Sequence, residues 1–150
     1  MHVGMTGTQD GCTRQQRENI RRWIIEHASE IETLHQGDCV GADFFVAVQA
    51  EMSNIQMVVH PPTFNGKRAH TETFSNVVEV KPPADYLVRN RRIVAATDCL
   101  IAIPKGMEAL RSGTWSTVRY ARKQGKPVTI FWPDGTVTTE REDADAHPAG

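Results

Sequence analysis

Short runs of β-branched residues alternate with helix-length stretches along the chain, and that alternation confines it to a mainly parallel sheet covered by helices. Strands are predicted over residues 2–5, 33–36, 56–60, 99–103 and 127–132, with a short one over 76–80. The expected fold class is therefore α/β, three layers built on a sheet of about five to six strands. Thr13-Arg14-Gln15-Gln16 reads as a capping box, and Ile20, Trp23 and Ile24 share one stripe after it, so a helix runs over 14–27. Gly41-Ala42-Asp43 opens a second helix over 44–52, with Phe44, Phe45, Val48 and Met52 expected in the core. Pro61-Pro62 stops the third strand, and residues 63–83 show no clear period. A third helix over 84–97 gathers Tyr86, Asn90, Ile93, Val94 and Thr97 on one face, with Arg89 and Arg92 beside it. A fourth starts at Ser112-Gly113-Thr114 and ends at Gly125. Residues 136–150 are acidic and lack an apolar period, so they read as a frayed or disordered tail, and the domain spans 1–135.

At 150 residues with 39% hydrophobic and 23% charged side chains, the chain has the make-up of one globular domain. It holds no apolar run of bilayer length and opens without a secretory pattern, which predicts a cytoplasmic protein with no membrane partner. Cys12, Cys39 and Cys99 are odd in number and without CxxC spacing, which argues against a disulfide framework and a zinc site. The net charge of −1 conceals segregation: residues 89–126 carry nine basic and two acidic side chains, and both flanks are acidic. A basic segment inside a near-neutral protein suggests a local anion site more than a general nucleic-acid coat.

In a parallel α/β sheet, ligands bind at the carboxyl ends of the strands. The loop after the first strand, Gly4-Met5-Thr6-Gly7-Thr8, is small and hydroxylated, so its N–H groups can approach an anion. The loop after the second, Gln36 to Asp43, offers Gly37 and two carboxylates; Asp38 is the candidate for a ribose hydroxyl, and Asp43 reads first as a helix N-terminal charge. His60 ends a buried strand and reads as a core histidine, and no second ligand at metal spacing accompanies it. Arg111-Ser112-Gly113-Thr114, directly before a helix, is the strongest anion signal, with free N–H groups, hydroxyls and the positive dipole end together. Asn90, an amide on an apolar face, must be held either by a loop backbone or by a ligand.

These loops resemble the SLOG superfamily, the Rossmann-like domains shared by the DNA-processing protein A (DprA/Smf) family and the lonely-guy (LOG) proteins. Gly37-Asp38-Cys39-Val40-Gly41-Ala42-Asp43 is similar to the SGxAxGID segment of DprA-like domains. Arg89-Asn90-Arg91-Arg92-Ile93 matches their RNRxI helix, and Ser112-Gly113-Thr114-Trp115-Ser116-Thr117 with Gly125-Lys126-Pro127-Val128 matches SGSxxT and GRPV. The length looks more like the small stand-alone SLOG proteins of the YspA/YpsA-related group, often carried by phages and mobile elements. The resemblance implies a domain that binds a nucleotide or nucleotide-derived phosphate ligand; no cofactor is expected, and no metal, since no ligand set at metal spacing is present. Gly7, Thr8, Gly37, Asp38, Ser112, Gly113 and Thr114 would form its cradle, with Arg89, Asn90 and Arg111 in support. Nucleic acid is the less favoured partner, and a homodimer is in keeping with the family.

One departure bears on chemistry. The lonely-guy phosphoribohydrolases place a catalytic Glu in PGGxGTxxE, and Thr117 stands there in this chain. A hydroxyl cannot do a carboxylate's acid/base work, so N-glycosidic hydrolysis by that route is not expected unless Asp38, Asp43 or Glu108 substitutes.

Overall fold

The structure is a computed structural model that describes residues 1–141. Its strands are β1 (His2–Gly7), β2 (Thr33–Gln36), β3 (Gln56–Val59), β4 (Val77–Val80), β5 (Cys99–Ile103), β6 (Val128–Phe131) and β7 (Val137–Glu140). They form one sheet in the order β4-β3-β2-β1-β5-β6-β7, parallel throughout except for the β6–β7 pair. Four helices complete the layers: α1 (Arg14–His27), α2 (Ala42–Met52), α3 (Tyr86–Ala96) and α4 (Gly113–Lys123).

Strand side chains alternate between faces, and the two cores follow that period. Ile101 and Ile103 join Val3, Met5 and Leu34 under Ile20 and Ile24 of α1 and Val46 of α2. Leu100 and Ala102, one residue out of phase, pack with Val94 of α3 and with Trp115 and Val118 of α4. The chain lays down β1 to β4 outward in one direction, then crosses back through α3 to set β5 beside β1. That reversal leaves a crevice at the carboxyl ends of β1 and β5, the natural ligand position of such a sheet.

The three-layer α/β/α expectation holds, and three details are corrected. The sheet has seven strands, not five to six. The second concerns α2, which starts at Ala42 and buries Ala42, Val46, Ala47 and Ala50, whereas Phe44 and Met52 are 45% and 73% exposed. The helix lies too close to β1 for large side chains: a Cβ on Gly7 would sit 2.5 Å from that of Ala42. Phe44 turns outward and meets the edge of Phe74 instead, with ring centroids 6.1 Å apart.

The third correction is the tail. Residues 137–140 are not frayed but pair as β7 along β6. Trp132 Nε1 donates to Thr138 Oγ1 at 2.8 Å, and the Arg122 guanidinium grips Glu140 at 2.7 and 2.8 Å. An edge strand exposed along most of its length carries no apolar alternation, which is why its sequence reads as tail. The remainder of that segment, 142–150, lies outside the described residues.

Candidate functional site

A cleft of about 560 Å³ opens over the ends of β1 and β5, walled by the loop after β1, the loop before α2, the helix α3 and the loop joining β5 to α4. Gly7, Thr8, Gly37, Arg89, Asn90, Arg111, Ser112, Gly113 and Thr114 all line it, and Asp38 does not.

One wall is the start of α4. Ser112 caps the helix by accepting from Trp115 N at 3.2 Å, and Ser116 N donates to Ser112 O at 2.9 Å. Of the four amides that this helix start leaves without intrahelical acceptors, Ser112 to Trp115, the cap satisfies that of Trp115, and those of Gly113 and Thr114 are among the ones left at the open end. A Cβ built on Gly113 would meet nothing within 4 Å, so its glycine leaves open space in front of those donors. Arg111 is exposed beside them, and Lys105, paired with Asp10 at 3.1 Å, rims the same cleft. The loop that carries Arg111 is fastened at both ends. Gln16 Nε2, buried, donates to Pro104 O at 2.7 Å, and Arg119 donates to Ala109 O and Leu110 O at 3.3 and 3.1 Å.

The floor is built around a buried carboxylate that the sequence placed in a lesser role. Asp43 is 6% exposed and lines the cleft, and its Oδ2 accepts from Cys39 N at 3.1 Å. Burial pushes its carboxyl up to about 6, against the opposing pulls of Arg89 and the Cys39 amide. Arg89 is itself buried, its guanidinium donating to the carbonyls of Gly37 and of His60 and its Nε donating to Asn90 Oδ1 at 2.7 Å. Gly37 has a steric reason to be glycine: a Cβ there would stand 2.4 Å from Arg89 Nη1 and 2.9 Å from Asp43 Oδ2. The Cys39 thiol, near Gln9 Nε2 at 3.7 Å, is pushed up by burial and is therefore a poor nucleophile.

Asp38 is fully buried, at a left-handed φ of 57°, and its carboxylate is consumed within the protein. Thr71 N and Thr71 Oγ1 donate to Oδ1, both at 2.7 Å, and Arg68 Nε donates to Oδ2 at 2.5 Å. No acceptor capacity faces a ligand, so the expected ribose contact is withdrawn for Asp38; its work is to hold the 63–73 segment against the end of β2. The other candidate acids fare similarly. Glu108 bonds to Arg119 and Arg122, and the Arg122 hydrogen bond holds its carboxyl below the usual range. Thr117 is buried with its hydroxyl on Gly113 O at 2.9 Å, away from the cleft.

His60 is a core histidine, as expected, bonded through Nε2 to His35 Nδ1 at 2.9 Å. Burial lowers both imidazoles, His35 to about 4 and His60 to about 3. No group of three or more His, Cys, Asp and Glu suited to a metal ion occurs among the described residues, nor does a helix long and apolar enough to cross a membrane.

Sequence reasoning ranked Asp43 below Asp38 because Asp43 stands at a helix start and reads first as its N-terminal charge; the donors that consume Asp38 instead come from Arg68 and Thr71. Lys105 and Tyr86 were not singled out. Tyr86 lies under the Arg89 guanidinium, 5.3 Å from ring centroid to Cζ.

No family model matches the chain, and no curated protein matches it in sequence. Solved structures do match in fold. DNA processing protein A from Helicobacter pylori, described for its single-stranded DNA binding mode, superimposes with a TM-score of 0.64 at 23% identity over 87% of this chain and 64% of that one. The Streptococcus pneumoniae DprA gives 0.66 at 18% identity over 86% of this chain, which spans only 49% of that protein. The molybdenum cofactor binding protein from Rippkaea orientalis gives 0.67 at 22% identity, over 87% of this chain and 76% of that one. The fold is thus the one that DprA carries, in agreement with the SLOG resemblance of the motifs.

Proposed function

We propose that the cleft binds a nucleotide or nucleotide-derived ligand, with a phosphate on the amides of Gly113 and Thr114 and a sugar hydroxyl or base N–H on Asp43. One observation carries the reading: a single cleft has a wall rich in hydrogen-bond donors, a helix N-terminus with Arg111 beside it, together with a buried carboxylate in its floor. The first suits an anion and the second suits a hydrogen-bond donor, and a nucleotide presents both. The volume of about 560 Å³ is within the ordinary range of small-ligand sites. That structures of the same fold are described as binding single-stranded DNA or molybdenum cofactor supports a ligand-holding role for this crevice.

A thermal-shift panel of nucleoside mono-, di- and cyclic dinucleotides and ADP-ribose derivatives tests the proposal. A true ligand at a hundred times its Kd stabilises by about 2.7 kcal/mol, and the shift should disappear in Gly113→Val. A panel in which no phosphate-bearing compound moves the melting temperature contradicts it. A hydrolytic role, as in the phosphoribohydrolases, is favoured only by Asp43, the buried carboxyl of the cleft, whose value of about 6 suits acid/base work. Release of free base by the parent and not by Asp43→Asn would establish that role. A DprA-like strand binder would instead lose affinity steeply with salt.

A further inference from the structure

Asn90 stands on a divide. It lines the cleft, and it also lines a second groove of about 330 Å³ between α3 and α4. Asn90 Oδ1 accepts from Arg89 Nε, which orients the amide and leaves its NH2 end free to donate. The groove beyond it is cationic: Arg91, Arg119 and Lys123 line it with Thr117 and Tyr120, and no carboxylate is among the lining residues. Arg119 is committed to Glu108 and to the carbonyls of the neighbouring loop. Arg91 packs over the Tyr120 ring, Cζ 5.3 Å from the centroid, which fixes its guanidinium at the groove wall. Among the described residues neither Arg91 nor Lys123 lies within ion-pair distance of a carboxylate, while their neighbours Arg119 and Arg122 both do. Two cations without acidic partners, an aromatic face and a donor amide therefore continue directly from the anion wall of the cleft.

We propose that this groove holds a second phosphate of the ligand whose first phosphate sits at α4, so that the full ligand is a phosphodiester-linked dinucleotide unit. The inference rests on the nucleotide reading of the cleft and extends it in a stated direction, from Gly113 past Asn90 toward Arg91 and Lys123.

Isothermal titration of the full chain with AMP and with the 5′-phosphorylated dinucleotide pApA tests it. The dinucleotide should bind at least tenfold more tightly, with a log–log salt slope steeper by about 0.7 for the added phosphate contact. Arg91→Gln and Lys123→Gln should each remove most of that gain and leave AMP affinity unchanged. Arg21→Gln, an exposed change on α1, should alter neither affinity. Unchanged melting temperatures of the variants confirm that the folded protein is being compared. A pApA affinity equal to that of AMP, or groove variants that weaken both compounds alike, overturns the inference and leaves the cleft reading standing; failure of both compounds to bind overturns both. A 5′-phosphorylated octanucleotide distinguishes the sources: affinity equal to that of pApA supports a free dinucleotide, and a further gain supports a strand end, the groove being required in either case.

Discussion

Asp38, on the loop after β2, and Asp43, five residues on in the first turn of α2, are both almost wholly buried, and the protein treats them oppositely. Asp38 receives three donors, from Arg68 and Thr71, and becomes an internal anchor for the 63–73 segment. Asp43 receives the Cys39 amide, while the neighbouring Arg89 guanidinium spends its donors on carbonyls. Burial therefore wins at Asp43, and its carboxyl rises to about 6. The difference teaches that a buried carboxylate here is structural when side-chain donors saturate it and available to a ligand when only backbone amides reach it.

Removing each carboxylate should break the comparison cleanly. Asp38→Ala strips a buried charge from Arg68 and leaves Thr71 unpaired, at an expected cost of about 3–5 kcal/mol in urea unfolding. Asp43→Asn should leave stability at pH 7 unchanged or raise it by on the order of 1 kcal/mol, because the carboxamide carries no charge to desolvate. Equal losses in the two variants would erase the distinction.

Acid sharpens it. Unfolded histidines take up protons near pH 6.5, whereas folded His35 and His60 resist until about 4 and 3, so the unfolded chain binds more protons and stability falls as pH drops below 6.5. Asp43 acts in the opposite sense between about 6 and 3.8, where the folded state holds a proton that the unfolded chain has released. Two histidines outweigh one aspartate, which gives a net loss of about 2 kcal/mol between pH 7 and pH 5. Asp43→Asn should steepen that loss and His35→Gln should flatten it. Stability constant from pH 7 to pH 5 in the parent would contradict the buried neutral pair.

How far the sequence carried the fold depended on whether each element buries a face. The capping box at Thr13 and Gln16, the stripe of Ile20 and Ile24, and the apolar β5 were legible because local chemistry and tertiary packing agree there. The phase of α2 was misread because the close approach of Ala42 to Gly7 favours small residues over the aromatic ones. β7 was missed because an exposed edge strand has no apolar face to read. In the cleft, the Ser112-Gly113-Thr114 signal was local and visible, whereas the choice between Asp38 and Asp43 depended on donors some thirty residues away.

Asn90→Leu probes the divide between the two grooves. It leaves the buried Arg89 Nε without its acceptor, and the expected loss is about 1–3 kcal/mol in stability with weaker ligand binding. An unchanged melting temperature would show that Arg89 finds another partner at no cost. Gly113→Val is expected to leave stability within about 0.5 kcal/mol, since its Cβ meets nothing, while reducing nucleotide affinity at least tenfold, about 1.4 kcal/mol. The smallest effect is expected in turnover: with Thr117 buried, Asp38 and Glu108 paired and Asp43 the one acid of this set left in the cleft without a second, release of free base from nucleoside monophosphates should not exceed a no-enzyme control.

Amide chemical-shift mapping during titration with a nucleoside 5′-monophosphate locates the ligand most directly. Binding between the helix N-terminus and the Asp43 carboxylate should move the Gly113, Thr114, Gly37 and Cys39 amides together and leave Thr71, bound to Asp38, in place. Shifts that cluster instead around His60 and Lys81, with Gly113 and Thr114 unmoved, would show that the nucleotide does not occupy this cleft.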